Sequence, residues 1–103
     1  MANGKLGTAD LAALTNTTVY TVPFGKTTSC TVRITNRNSS AVTVRLALSV
    51  TGTPALSEWI EYDVLVDGNG IIEDSGLVIA ATHNIVAYSN STGVSVNVYG
   101  YEE

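Results

Sequence analysis

Reactive side chains are scarce in this sequence. Cys30 is the only cysteine and His83 the only histidine. A single cysteine excludes an internal disulfide, and two such residues in all are too few for a His/Cys metal site. A catalytic triad needs a histidine held by a carboxylate and facing a nucleophile, yet no Gly-x-Ser-x-Gly elbow occurs. A phosphate loop is missing too, because Gly25-Lys26-Thr27 has no glycine five residues upstream of Gly25. Charge is also thin: 14% of the 103 residues, against roughly 25% in ordinary soluble domains. The net charge of −4 opposes a nucleic-acid partner, which calls for clustered Lys and Arg. No apolar run approaches the ~18 residues of a membrane span. Residues 1–14 lack the basic-then-apolar build of an export signal. The expectation is a non-enzymatic protein without cofactor or metal, made in a cytoplasm, with no nucleic-acid or membrane partner.

What is abundant is apolar and hydroxylic. The hydrophobic fraction of 45% is enough for a folded core, and Thr, Ser, Asn and Val are frequent. A surface of hydroxyls and amides suits side-by-side packing, since few charges must be desolvated on contact. It suits a neutral β-domain with Thr on its exposed strand faces equally well.

The stretch Cys30–Val50 sets the fold class. Cys30, Val32 and Ile34 alternate with Thr31, Arg33 and Thr35; Val42, Val44, Leu46, Leu48 and Val50 alternate with Thr43, Arg45, Ala47 and Ser49. Period-2 alternation marks strands buried on one side, and the polar link Asn36–Ser40 reads as the turn of a hairpin. In that hairpin Arg33 and Arg45 become cross-strand neighbours on the solvent face, and Cys30 is a small buried hydrophobe. Around it, Thr17–Pro23, Glu58–Val64, Ile71–Glu73, Leu77–Ile79, His83–Ser89 and Val94–Tyr101 read as short strands. Asp67–Gly70 and Asn90–Gly93 are Gly-containing turns. Seven to eight short strands predict an all-β antiparallel β-sandwich, immunoglobulin-like or jelly-roll. Residues 1–15 read as an N-terminal arm, with one helical turn at Leu11–Leu14, and residues 16–103 as a single β-sandwich domain.

Two binding options lie in the side chains. Asp63, Asp67, Asn69, Glu73 and Asp74 supply oxygen ligands near a Gly-rich turn, though Ile71 breaks the EF-hand spacing, so an ordinary turn is the expectation. Tyr62, Tyr88, Tyr99 and Tyr101 would serve a sugar if they shared one open face, or are simply good strand formers. Trp59 is an anchor of the core or of an interface.

Three segments carry a family resemblance: MANGKLGTADLAALTNTTVYTVPFGKTT, VRITNRNSSAVTVRLALS and GVSVNVYGYEE. They resemble the small β-sandwich virion proteins of tailed bacteriophages. The shared elements are a Gly-Lys-Leu-Gly opening, a Val-Pro-x-Gly turn, an N-R-x-x-x-x-V-T-V-R-L-A segment and a last strand closing on Gly-aromatic-Glu. The likeness covers nearly the whole chain and rests on strand and turn patterns. Phe24 departs from it, standing where a small residue is expected after Pro23. The resemblance implies a homo-oligomeric virion component assembled in the host cytoplasm. Its partners are then the major capsid protein, for a capsid decoration (cement) protein, or neck and tail components, for a fibre-attachment or head–tail accessory. Leu11, Leu14, Phe24 and Trp59 are the expected interface residues. A small carbohydrate- or calcium-binding module is the alternative from another class.

Overall fold

The computed structural model describes residues 2–103, at residues 2 and 3 by their backbone alone. Met1, the first residue of the expected arm, lies outside the described residues. Eight strands follow in order: β1 (Ala2–Asp10), β2 (Thr17–Thr21), β3 (Thr28–Asn36), β4 (Val42–Ser49), β5 (Trp59–Val66), β6 (Ile71–Ile79), β7 (Asn84–Ser89) and β8 (Val94–Glu102). A single 3-10 turn, Leu56–Glu58, precedes β5. The strands form two four-stranded antiparallel sheets, ordered β1-β8-β3-β6 and β2-β7-β4-β5. Strands consecutive in the chain therefore lie in opposite sheets, except β4 and β5. This is the jelly-roll arrangement of two nested Greek keys, one of the two sandwiches the strand pattern allows.

Val and Ile dominate the space between the sheets. Val32, Ile34, Val44, Leu46, Ile85, Val94, Val96 and Val98 are essentially inaccessible to solvent, each contributing roughly 1.5–3 kcal/mol by burial. Branched side chains fit the pleated surface and lose little rotamer freedom there. Cys30 belongs to this core, and burial pushes its thiol up to about 11. Near the chain's C-terminus the interior turns polar. Buried Glu102 on β8 accepts hydrogen bonds from Tyr20 of β2 and from Thr28 of β3 (2.9 Å). Burial, then the bond to Glu102, raises the Tyr20 phenol to about 12.

Two sequence expectations need correction. The described part of the expected arm, residues 2–15, holds no helical turn and does not stand apart from the sandwich: Ala2–Asp10 is strand β1, paired along its length with β8. A register shift between Lys5 and Gly7 breaks its alternation, which hides the strand from a period-2 reading. Cys30–Val50 is likewise not a hairpin. β3 pairs with β6 and β8, and β4 with β5 and β7. The link between them is an arch from one sheet to the other, so the two apolar faces meet across the core. Arg33 and Arg45 consequently lie on opposite outer faces.

Candidate interaction surfaces

The chain path gives the sandwich two unlike ends. At one end the arches 11–16, 37–41, 67–70 and 90–93 join β1 to β2, β3 to β4, β5 to β6 and β7 to β8. At the other, terminal end lie the loops 22–27, 50–58 and 80–83, the start of β1 and the end of β8, since Ala2 and Thr28 each stand opposite Glu102.

The arch end is closed by its own hydrogen bonds. Asn36, wholly buried, is the hub: its Nδ2 donates to the carbonyls of Ser40 (2.8 Å), Val66 (3.2 Å) and Asp67 (3.1 Å). Its Oδ1 accepts from the Asn38 backbone N–H (2.9 Å) and side chain (3.1 Å). Asn38 in turn donates to Thr92 O, while its carbonyl accepts from Asn69 N–H. Arg37 N–H donates to Gly93 O, and Leu11 N–H to Val94 O. The arches touch so closely that a Cβ at Gly68 would collide with the Ser39 carbonyl.

The terminal end presents apolar side chains instead. Phe24 is 90% exposed at the tip of 22–27, and Leu56 is 85% exposed in 50–58, with Val50 also exposed beside it. These loops are nevertheless fixed. The Glu58 carboxylate accepts from Val50 N–H (3.0 Å), Ala55 N–H (2.8 Å) and Ser49 Oγ (3.1 Å). The Val50 and Ala55 amides hold its carboxyl below the usual range. The loop 22–27 is tied through Thr27 N–H to Glu103 O and the reciprocal bond (both 2.9 Å), and Val22 N–H donates to His83 O.

The two outer faces carry the charged and aromatic residues. On the β2-β7-β4-β5 face, Arg45 donates to both Asp63 oxygens (2.6 and 3.3 Å). Its guanidinium stacks 4.2 Å from the Tyr62 ring centre, 4.5 Å from Tyr88 and 6.0 Å from Trp59. Trp59 meets Tyr62 edge-on at 5.9 Å. Such cation–π stacking on aromatic faces is an Arg speciality, and here it uses the ring faces that a sugar would need. On the opposite face, Arg33 Nε and Tyr99 Oη both donate to Glu73 Oε2 (2.9 and 2.8 Å). The tyrosines are thus divided between opposite faces. Nor do Asp63, Asp67 and Asp74 converge: among the described residues no group of three metal-ligating side chains comes together.

The four expected interface residues are scattered. Leu11 is 2% exposed and belongs to the core, so it is not a surface contact. Its backbone enters the arch, which turns the side chain inward. Leu14 is 70% exposed at the arch end, Phe24 stands at the terminal end, and half-buried Trp59 packs on an outer face. Leu56 and Val50 were missed. Leu56 sits in a loop with Gly52 and Pro54, where apolar residues show no periodicity. Val50 instead continues the alternation of Val42–Leu48 and reads as core-facing, but β4 ends at Ser49 and Val50 leaves the sheet exposed. Among the described residues no helix is long and apolar enough to cross a membrane. Comparison with protein-family models, curated proteins and solved structures finds no match.

Proposed function

We propose that this protein is a non-enzymatic, multicopy component of a tailed-bacteriophage particle, a decoration protein that docks end-on through the loops 22–27 and 50–58. The observation that carries this reading is the exposure of Phe24 and Leu56 on loops held in place by backbone and Glu58 hydrogen bonds. Large apolar groups on a pre-organised surface gain desolvation energy on contact and lose little entropy. The low charge of the chain and the sequence resemblance to small virion proteins point the same way. In this reading the partner is the major capsid protein, the contact is apolar at its centre and polar at its rim, and the site of action is the virion.

An antibody raised against the purified protein, used for immunogold labelling of particles from cells carrying its gene, tests the reading. Label over the head is the expected result. Label confined to the neck or tail would replace decoration by the accessory role, and unlabelled particles would contradict both.

A further inference from the structure

β5 and β6 are the outermost strands of their two sheets on the same side of the sandwich. The arch 67–70 joins them, so they form one two-layered edge with unpaired backbone groups. Such edges template pairing with another chain, and proteins blunt them with bulges and inward-pointing charges. This edge carries both devices. Register breaks occur in both strands, beside Asp63 (φ 53) in β5 and Gly76 (φ 71) in β6. Glu61 stands opposite buried Leu46, and Asp74 opposite buried Val32. Directly opposed residues of antiparallel strands share a face, so both carboxyl groups point between the sheets.

Glu61 and Asp74 lie within hydrogen-bonding reach of each other, and Glu61 is held above the usual carboxylate range, first by burial and then by Asp74. Asp74 Oδ2 is buried without a donor. A proton on Glu61 satisfies it; two ionised carboxylates leave it orphaned and repelled. Arg33 and Arg45, the cations on the neighbouring strands β3 and β4, lie on the two outer faces and are engaged by Glu73 and Asp63. Those two acids are themselves held on the outer faces, and Cys30, the remaining titratable group on β3, is buried opposite Leu77.

The edge is otherwise suited to association. Ile60, Tyr62 and Leu65 on β5 and Ile71 and Val78 on β6 are exposed on the two edge strands and flank it, Tyr62 with one ring face already covered by Arg45. Strands of eight and nine residues run about 27 Å at about 3.3 Å per residue. The thinnest dimension of the fold is 19 Å. Together these outline a face of about 500 Å² per partner, or about 1,000 Å² in a symmetric pair, at the lower bound of a specific interface and in keeping with a reversible dimer. A two-fold axis through the middle of the edge and perpendicular to the sheets keeps the two layers in place, so it matches β5 to β5 and β6 to β6 and closes after two chains. It also sets each acid pair beside its copy, four carboxyl groups in one desolvated strip.

We propose that the β5–β6 edge is a self-association surface for a second copy of this chain, barred while Glu61 and Asp74 are both ionised and opened when the pair shares a proton. The inference stands apart from the particle reading. Sedimentation velocity on the wild type, Glu61→Gln and Val78→Lys at pH 7.5 and pH 5 tests it. The wild type is expected to be monomeric at pH 7.5 and to dimerise at least tenfold more tightly at pH 5. Glu61→Gln, whose amide donates to Asp74 without a charge, is expected to dimerise at both pH values. Val78→Lys, which places a charge on the exposed rim, stays monomeric at both. The sequence pI near 4.7 makes charge neutralisation alone a rival cause of association in acid, so Glu61→Gln at pH 7.5 decides. A folded Glu61→Gln that remains monomeric there overturns the proposal, as does a Val78→Lys protein that associates like the wild type. If Glu61→Gln does not fold, Asp74→Asn takes its place with the same expected outcomes.

Discussion

The two ends of this sandwich are built from similar amounts of chain but spend their polar groups differently. At the arch end, four connections lie side by side, and amide side chains and carbonyls satisfy one another around Asn36. Little is left to offer a partner there except Leu14. At the terminal end, hydrogen bonds fix the loop backbones while Phe24, Val50 and Leu56 face outward. Buried polar groups must be paired, whereas exposed apolar groups incur no such requirement. The first end therefore resists substitution for reasons of folding, and the second tolerates it until a partner is present.

This contrast can be broken most severely by removing residues 1–14. The deletion takes away β1 and core residue Leu11, exposing the full length of β8, and circular dichroism is expected to show loss of the folded state. A soluble, cooperatively unfolding remnant would return these residues to the role of an arm. Next in size is Asn36→Ala. It removes the donor to the carbonyls of Ser40 and Val66 and the acceptor of the Asn38 amide in a largely buried arch, while Asp67 O keeps its bond from Gly70 N–H, at roughly 1–3 kcal/mol per buried unsatisfied group. A fall in urea stability of about 3 kcal/mol or more is expected, and a change below about 1 kcal/mol would deny Asn36 its place as hub. Gly68→Ala forces a methyl against the Ser39 carbonyl and is expected to cost about 1–3 kcal/mol, as other overpacked sites do.

The terminal end answers to acid in a definite direction. Because the Glu58 carboxyl is depressed by the Val50 and Ala55 amides, the folded state binds fewer protons at that site than the unfolded chain. Its contribution is fully present above the ordinary pKa of about 4.5 and is lost as pH falls through the lower folded value. The protection of the 50–58 amides, taken relative to the intrinsic exchange rate at each pH, is expected to fall on acidification before that of 37–41, and Glu58→Gln to remove much of the difference. The smallest effect concerns stability alone. Phe24→Asp and Leu56→Asp touch no buried group and are expected to stay within about 0.5 kcal/mol of the wild type by urea denaturation.

Strand faces were legible in the sequence; their partners were not. Alternation at Cys30, Val32 and Ile34 and at Val42, Val44 and Leu46 marks which side is buried, and that holds equally for a hairpin and for an arch. The distinguishing mark is Asn36, which continues the inward phase of β3. A buried amide at the end of an apolar face is suited to binding the carbonyls of a chain that turns inward across the core. β6 read as two pieces because Gly76 interrupts it, whereas the glycine supports a bulge within one strand. The terminal-end surface was legible only at Phe24, through its departure from the small residue expected after Pro23. Leu56 carries no periodic signal, Val50 carries a misleading one because β4 ends one residue before it, and the pairing of Glu61 with Asp74 depends on two register breaks that single-chain alternation does not encode.

The most direct test of the difference between the ends is the copy number of the protein per purified particle, measured for the wild type, for Phe24→Asp/Leu56→Asp and for Leu14→Asp. All three are expected to fold. If the protein is the particle component proposed above, the double substitution at the terminal end is expected to empty the particle of it, while Leu14→Asp at the arch end leaves its copy number unchanged. Retention of the double variant together with loss of Leu14→Asp would contradict this expectation and make the arch end the docking surface.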